Sequence, residues 1–304
     1  MSIGSLAEQI EAASLDAWPA LEQIAYDGWI LRFSDGYTKR ANSVNSMYEA
    51  KLQSGTVETE TKVQFAEQCY RDRGRPAIFR ITPFSVPRDL DAFLEQRGYV
   101  QLDPTRVMVL DLADICPLGY DPTFGAGVGG VVDEGPGIDT SSYATNLVGE
   151  LRQEDLDAWL MLFARLHSES IESQQIHRAI LCSITAEVQP YLLDVRGVPV
   201  ACALGVLDGE RLGLFDLYVD PAFRRQGHGT DMTGRILAQA KRRGVRWVYL
   251  QVTEANQVAQ GMYRKLGFGD LYRYWYRIQG GHLGAGTQPG WSLAFQGYEV
   301  ARDL

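Results

Sequence analysis

The chain has 304 residues and a net charge of −9, with 45% hydrophobic and 22% charged residues. That composition excludes global disorder, and a length of about twice a typical domain favours two domains. No apolar run reaches the about 18 residues that cross a membrane. The opening MSIGSLAEQIEAAS carries acids where a signal peptide is basic and then apolar, so a cytoplasmic protein with no membrane partner is expected.

The excess of acid is uneven. Residues 1–145 hold 12 Lys and Arg against 21 Asp and Glu, whereas residues 146–304 hold 17 of each. Nonspecific nucleic-acid binding needs a basic face, so no nucleic-acid partner is expected, while the neutral half leaves room for a local anion site. Cys69, Cys116, Cys182 and Cys202 form no CxxC pair and lie at no zinc spacing from His167, His177, His228 or His282. They read as buried, reduced thiols, and no metal site is expected.

In chain order, the spacing of Leu6, Ile10 and Leu15 predicts a helix over 5–15, and GWILRF predicts a strand over 28–33. A helix over 61–73 ending at Gly74, a strand over 75–83, a helix over 88–98 ending at Gly98 and a strand over 106–112 follow. Residues 114–144 are dense in Gly, Pro, Asp and Ser and read as a linker between domains over 1–113 and 145–304. The GxGxxG at Gly125, Gly127 and Gly130 follows no strand and opens no helix, so it is no dinucleotide fingerprint. Beyond it, helices are predicted over 153–167 and 177–188, then three strands across 190–219 with turns at Arg196-Gly197 and Asp208-Gly209. A helix over 229–243, a strand over 246–252, a helix over 257–266 and a strand over 272–278 complete the pattern. Trp291, Leu293, Phe295 and Tyr298 in the 279–304 tail are expected to pack on a domain surface.

Residues 214–244 carry the chemistry. A strand ends at Val219, Asp220-Pro221 breaks its pairing, and Arg224-Arg225-Gln226-Gly227-His228-Gly229-Thr230 runs straight into a helix. Such an entry leaves backbone N–H groups unpaired at the positive end of the helix dipole, which makes an anion cradle. Gly227 and Gly229 permit close approach of a phosphate, and the arginines add charge. An ordinary strand–loop–helix turn is the alternative; a Walker loop is absent.

RRQGHG fits the [QR]xxGx[GA] pattern, and Asn256, Ala259, Tyr263 and Gly267-Phe268 fit the second signature, of the GNAT superfamily of acyl-CoA N-acyltransferases. The chain resembles that family over about residues 145–278. The first half looks like a weaker copy, with strand 75–83, helix 88–98 and strand 106–112 mirroring 246–252, 257–266 and 272–278. Where RRQGHG would stand it has VNSMYEAKLQSGTVETETK, so the copy lacks a pyrophosphate cradle. Gly28-Trp29, Arg32 and Arg40-Ala-Asn42-Ser43 are similar to the N-terminal part of bacterial two-domain members. The resemblance implies an α/β fold of two tandem GNAT-like domains, each a mixed, mostly antiparallel sheet flanked by helices.

It also implies acetyl-CoA, or another acyl-CoA, in a split between strands 212–219 and 246–252. The pyrophosphate would meet the N–H groups of Arg225, Gly227, Gly229 and Thr230, in a loop that also holds Arg224, Gln226 and His228. Backbone groups of Leu217, Tyr218 and Val219 would flank the pantetheine arm, with one N–H, at Leu217 or its neighbour, on the thioester carbonyl. Tyr263 would protonate the departing thiolate, or serve only as a core aromatic. Asn256 would bond the cofactor arm, cap the 257–266 helix, or do both. The glutamate of histone-acetylating members falls near Gly213, which leaves Asp216 and then Glu254 as candidate bases. Asp216 could instead anchor a substrate ammonium or be paired inside the fold. Tyr218, Tyr249, Tyr272, Tyr274 and Trp275 are candidates for an acceptor pocket, with some facing away by strand alternation. Lys241-Arg242-Arg243 and Arg246 would reach the 3′-phosphate or form a solvated face, and His228 is expected to be exposed. The implied activity is transfer of acetyl to the primary amine of a small molecule, by direct attack in a ternary complex. Acetylation of a protein lysine or N-terminus, or a non-catalytic acyl-CoA sensor, are the alternatives, with homodimerisation left open.

Overall fold

A reciprocal cap starts the first helix: the Glu8 N–H donates to the Ser5 hydroxyl (3.3 Å) and the Ser5 N–H to the Glu8 carboxylate (2.7 Å). The computed structural model describes residues 5–48, 57–113 and 149–280. Its first half comprises α1 (Leu6–Asp16), β1 (Glu22–Tyr26), β2 (Trp29–Phe33), β3 (Val44–Asn45), α2 (Thr59–Asp72), β4 (Ile78–Ile81), α3 (Leu90–Gln96) and β5 (Tyr99–Asp111). The second half opens with β6 (Gly149–Gln153), α4 (Leu156–His167), α5 (Ile171–Cys182), β7 (Glu187–Val195), β8 (Val198–Asp208) and β9 (Arg211–Val219). It continues with α6 (His228–Arg242), β10 (Trp247–Thr253), α7 (Gln257–Lys265) and β11 (Gly269–Gln279).

The expected mixed, mostly antiparallel sheet flanked by helices is present, and both halves contribute to one sheet, ordered β1-β2-β3-β4-β11-β5-β10-β9-β8-β7-β6. Its parallel neighbours are β3/β4 and β9/β10, and each pair encloses a helix, α2 or α6. In each half a further helix and a last strand follow, α3 and β5 or α7 and β11. Those last strands are interleaved: β5 lies between β10 and β11, and β11 between β5 and β4.

Strand alternation sends side chains to two layers. On one face Ile10, Trp18, Trp159, Phe163 and Ile180 from the α1, α4 and α5 region pack on Phe215, Tyr249 and Tyr274. On the other, Met232, Ile236 and Leu237 of α6 pack on Val248 and Leu250, while α2 and α3 cover Leu31 and Phe79. Glu11 and Arg80 form a buried ion pair on the first face, where the Tyr272 hydroxyl also donates to Glu11 (2.5 Å). Breaking one partner of such a pair leaves an uncompensated buried charge, so it fixes α1 to β4 and β11.

Several elements differ from the sequence expectation, including β3 and β6, which it does not contain. The helix expected over 177–188 is α5, which starts at Ile171 because the Ser170 hydroxyl accepts from the Ser173 N–H (3.1 Å). Residues from Glu187 onward are taken into β7 by pairing with β8. β1 pairs with β2 across Asp27-Gly28, and β5 begins at Tyr99 rather than 106. Cys69 and Cys202 are buried as expected, but Cys182 is exposed. The 114–144 linker with its GxGxxG, Cys116, and the tail beyond 280 lie outside the described residues. Among the described residues, no helix is long and apolar enough to cross a membrane.

Candidate active site

β9 and β10 stay in parallel register from Arg211↔Trp247 to Leu214↔Leu250 and then part. Beyond that point β10 remains paired with β5 as far as Thr253↔Thr105. β9 remains paired with β8 through a bulge, since Phe215 faces Leu204 and Tyr218 faces Cys202. Asp216 and Leu217 therefore share one opposing residue, and Asp216 sits at φ +49°. The parting strands leave a cleft of about 130 Å³ bordered by Leu217, Tyr218, Thr253, Asn256 and Tyr263.

The chain leaves β9 at Asp220, whose carboxylate accepts from the Ala222 N–H (2.9 Å), and turns toward α6. Arg225 and Gly227 both take left-handed conformations, at φ +59° and +84°. No side chain caps α6, and the N–H groups of Arg225, Gln226, Gly227, His228, Gly229 and Thr230 have no partner among the described residues. A left-handed residue other than glycine costs about 1–2 kcal/mol, which accounts for Gly227. At Gly229 a Cβ would stand 3.2 Å from Met262 Sδ, so the first turn of α6 lies close against α7. The Arg224 side chain folds back, donating from Nε to the Val219 carbonyl (3.0 Å) with its guanidinium 5.2 Å from the Tyr218 ring. The Gln226 amide reaches the Ala222 carbonyl (3.4 Å). His228 is 3% exposed, not the exposed residue expected, because it packs inward on Phe223; burial lowers its pKa.

Asn256 accepts from the Ala259 N–H through Oδ1 (3.0 Å), so it caps α7 while bordering the cleft. Tyr263 also borders the cleft, packs edge-on against Phe268, and has its hydroxyl pKa pushed up by burial. Asp216 borders the cleft too, but its carboxylate is 1% exposed and lies 3.3 Å from His177 Nε2. The other His177 nitrogen is 3.9 Å from Glu169, which accepts a hydrogen bond from the Tyr37 hydroxyl (2.7 Å). Burial opposes a charge on His177, yet Asp216 and Glu169 outweigh it and raise its pKa above the ordinary value. Sequence reasoning passed over His177, because nothing local ties it to residues so far along the chain.

Glu254 does not line the cleft; it is held by Arg106 (3.1 Å) and Arg273. At Gly213 a Cβ would meet Phe215 at 2.6 Å and the Tyr249 hydroxyl at 2.7 Å. Of the aromatic candidates, Tyr218 borders the cleft and Tyr274 faces a second cavity of about 340 Å³. Tyr249 packs beneath Gly213, Tyr272 bonds Glu11, and Trp275 donates to Asp91 (2.8 Å). Arg243 is paired with Glu187 (2.7 Å) and Arg246 with Asp111 (3.4 Å).

The larger cavity adjoins the cleft through Arg40, Gln251 and Thr253, which border both. Its wall is the segment 34–42, knitted by Asn42, which accepts from the N–H groups of Ser34 (2.7 Å) and Gly36 (2.9 Å) and donates to the Thr38 carbonyl (2.8 Å). Tyr274 and Tyr276 line it from β11, and the Tyr274 hydroxyl donates to Gln251 (2.6 Å). In the first half, the position beyond the β3/β4 pair is spanned instead: the Ser46 carbonyl accepts from the Val86 N–H (2.7 Å) and Val86 accepts from Trp29 Nε1 (3.0 Å).

Residues 150–268 match the family model described as Acetyltransferase (GNAT) family. Residues 5–119 match one described as Probable histone acetyltransferase Rv0428c C-terminal. YobR of Bacillus subtilis, an uncharacterized N-acetyltransferase, is 26% identical over 272 residues, 89% of this chain and 98% of its own. A solved GCN5-related N-acetyltransferase from Kribbella flavida shares the fold with a TM-score of 0.62 at 16% identity, over 92% of this chain and 98% of its own. A tandem GNAT protein from the clavulanic acid biosynthesis pathway does so with a TM-score of 0.52 at 14% identity, over 78% of this chain and 75% of its own. Fold, cleft and family model agree over residues 150–268, the stretch that matches the acetyltransferase (GNAT) family.

Proposed function

We propose that the protein moves an acetyl group from acetyl-CoA to the primary amine of a small molecule, by direct attack in a ternary complex. The run of amides without partners from Arg225 to Thr230, beside the gap between β9 and β10, carries this reading. Acetyl-CoA supplies an activated thioester. The amides of Arg225, Gly227, Gly229 and Thr230 hold its diphosphate at the N-terminus of α6. The Leu217–Val219 backbone flanks the pantetheine arm, with the Leu217 N–H on the thioester carbonyl. Tyr263 gives its proton to the departing sulfur and is restored by the proton that the attacking nitrogen loses as the amide forms, and Asn256 adds a polar contact from the α7 cap.

Both candidate carboxylates are engaged, Asp216 by His177 and Glu254 by two arginines. The proton of the acceptor ammonium therefore leaves to water through the larger cavity, and Asp216 is structural to the site. That cavity, about 340 Å³ and walled by segment 34–42, has the size of small-ligand sites and supports a small acceptor over a protein chain. The first half, whose corresponding position is spanned by chain, acts as a degenerate copy that supplies this wall.

The test is a panel of amines, with lysine and N-terminal peptides alongside, read by thiol release from acetyl-CoA. Acceptor-dependent release by small amines is expected. Tyr263→Phe is expected to lower kcat about 100-fold or more with acetyl-CoA affinity intact. Release with peptides alone would move the reading to protein acetylation, and binding without turnover on any amine would move it to a sensor. Failure to bind acetyl-CoA would overturn it.

A further inference from the structure

Asp216 adopts its left-handed conformation inside a strand, which costs a residue with a side chain about 1–2 kcal/mol. Its carboxylate lies 3.3 Å from His177, which is fully buried. Trp18, Tyr37, Trp159 and Phe163 wall the imidazole at ring distances of 5.6, 5.0, 6.0 and 4.9 Å, so it has nowhere to turn. Its two nitrogens stand 3.3 and 3.9 Å from the Asp216 and Glu169 carboxylates without hydrogen-bond geometry to either, so the contact is an ionic one that needs the imidazolium.

We propose that His177 is a positioning residue: clamped between Asp216 and Glu169, it fixes the β9 bulge so that the Leu217 N–H faces the thioester carbonyl. Tyr37, which lines the larger cavity and bonds Glu169, ties this clamp to the acceptor side. The inference rests on the assignment of Leu217 as the polarising N–H.

The clamp depends on protonation. His177 is faced by Asp216 from β9, His167 from α4, Glu169 ahead of α5, and Tyr37 from the segment between β2 and β3, where Arg40 stacks on Trp18; the Cys202 thiol of β8 lies against the Asp216 carbonyl. Burial lowers the His167 pKa, whereas that of His177 is raised against burial by its two carboxylates. With both carboxylates ionised, the clamp is therefore complete below the ordinary imidazole value and is lost as pH rises through the raised, folded value for His177.

The test uses the full chain with His177→Gln and Glu169→Gln, measuring kcat, KM and acetyl-CoA affinity against pH, and NMR titration of His177 and of the Leu217 amide. His177→Gln is expected to lower kcat about 10- to 100-fold while acetyl-CoA affinity stays within about twofold, and to abolish the alkaline limb of the profile. Glu169→Gln, which covers a failure of the first variant to fold, should keep kcat at low pH and move the limb down by about one pH unit. The Leu217 amide should titrate with the His177 midpoint and move with it in Glu169→Gln. Unchanged profiles in both variants, or a Leu217 amide indifferent to His177, would overturn the clamp. A wild-type chain that binds no acetyl-CoA or acetylates nothing would instead remove the parent reading, and the NMR titration would still decide the clamp.

Discussion

The resemblance sets Gly213 near the glutamate of histone-acetylating proteins, and the surroundings of Gly213 leave no room for a side chain. A Cβ there would stand 2.6 Å from the Phe215 ring and 2.7 Å from the Tyr249 hydroxyl. Neither neighbour is a flexible tip; Phe215 is 4% and Tyr249 2% exposed. Overpacking of this kind costs about 1–3 kcal/mol, and a large domain loses about 2–4 °C of Tm per kcal/mol. Gly213→Ala should therefore melt about 2–12 °C below the wild type in scanning calorimetry. Adding Tyr249→Phe removes the hydroxyl contact but leaves the ring carbon Cζ at 2.8 Å, so the double variant should recover only part of the loss, about 0.5 kcal/mol relative to additivity. Gly213→Glu should be less stable still, since it buries a carboxylate without a partner, and it should not raise kcat. Gly213→Ala melting with the wild type, or Gly213→Glu accelerating acetyl transfer, would refute the steric argument.

Gly227→Ala should weaken acetyl-CoA binding and lower stability by about 1 kcal/mol, whereas Gly227→Asn, which tolerates φ +84°, should recover most of the stability; titration calorimetry and melting curves check both. Glu254→Gln should leave kcat within about twofold, because its ion pairs with Arg106 and Arg273 lie outside the cleft; a loss of the acid limb of the kcat profile would restore it as a base. Burial pushes the Asp91 pKa up, but hydrogen bonds from Arg277 and Trp275 outweigh it and hold the carboxyl below its ordinary value. Its contribution to stability is thus present above about pH 4 and lost as pH falls through the folded value. Asp91→Asn should flatten the dependence of Tm on pH in that range, and an unchanged slope would count against it.

The second half was the more legible because its signals are local. Glycine punctuation and apolar period located β7, β8, β9 and α6, and the residues around Gly227 announced a helix entry before any fold was in view. α5 was misplaced because Ile180, Leu181, Ile184 and Val188 continue a helical spacing, although partners in β8 draw the last of these into a strand. β1 went unseen because Glu22 and Gln23 lie exposed on an edge, yet Asp27-Gly28 was the turn signal that marks it. The contact of His177 with Asp216, and that of Tyr37 with Glu169, join distant segments, and no periodicity within either segment encodes them. The larger cavity belongs to the same class: segment 34–42, β5, β10 and β11 meet only after the sheet has formed.

The interleaving of β5 and β11 bears on how this chain is made. Both sheet neighbours of β5 come from the second half, and both neighbours of β11 from the first. As synthesis proceeds, the first half leaves the ribosome with β4 lacking one neighbour and β5 lacking both, and open edges of that kind invite association with other chains. Its sheet closes only when residues up to Gln279 have emerged, so until then β5 and the free side of β4 stay open.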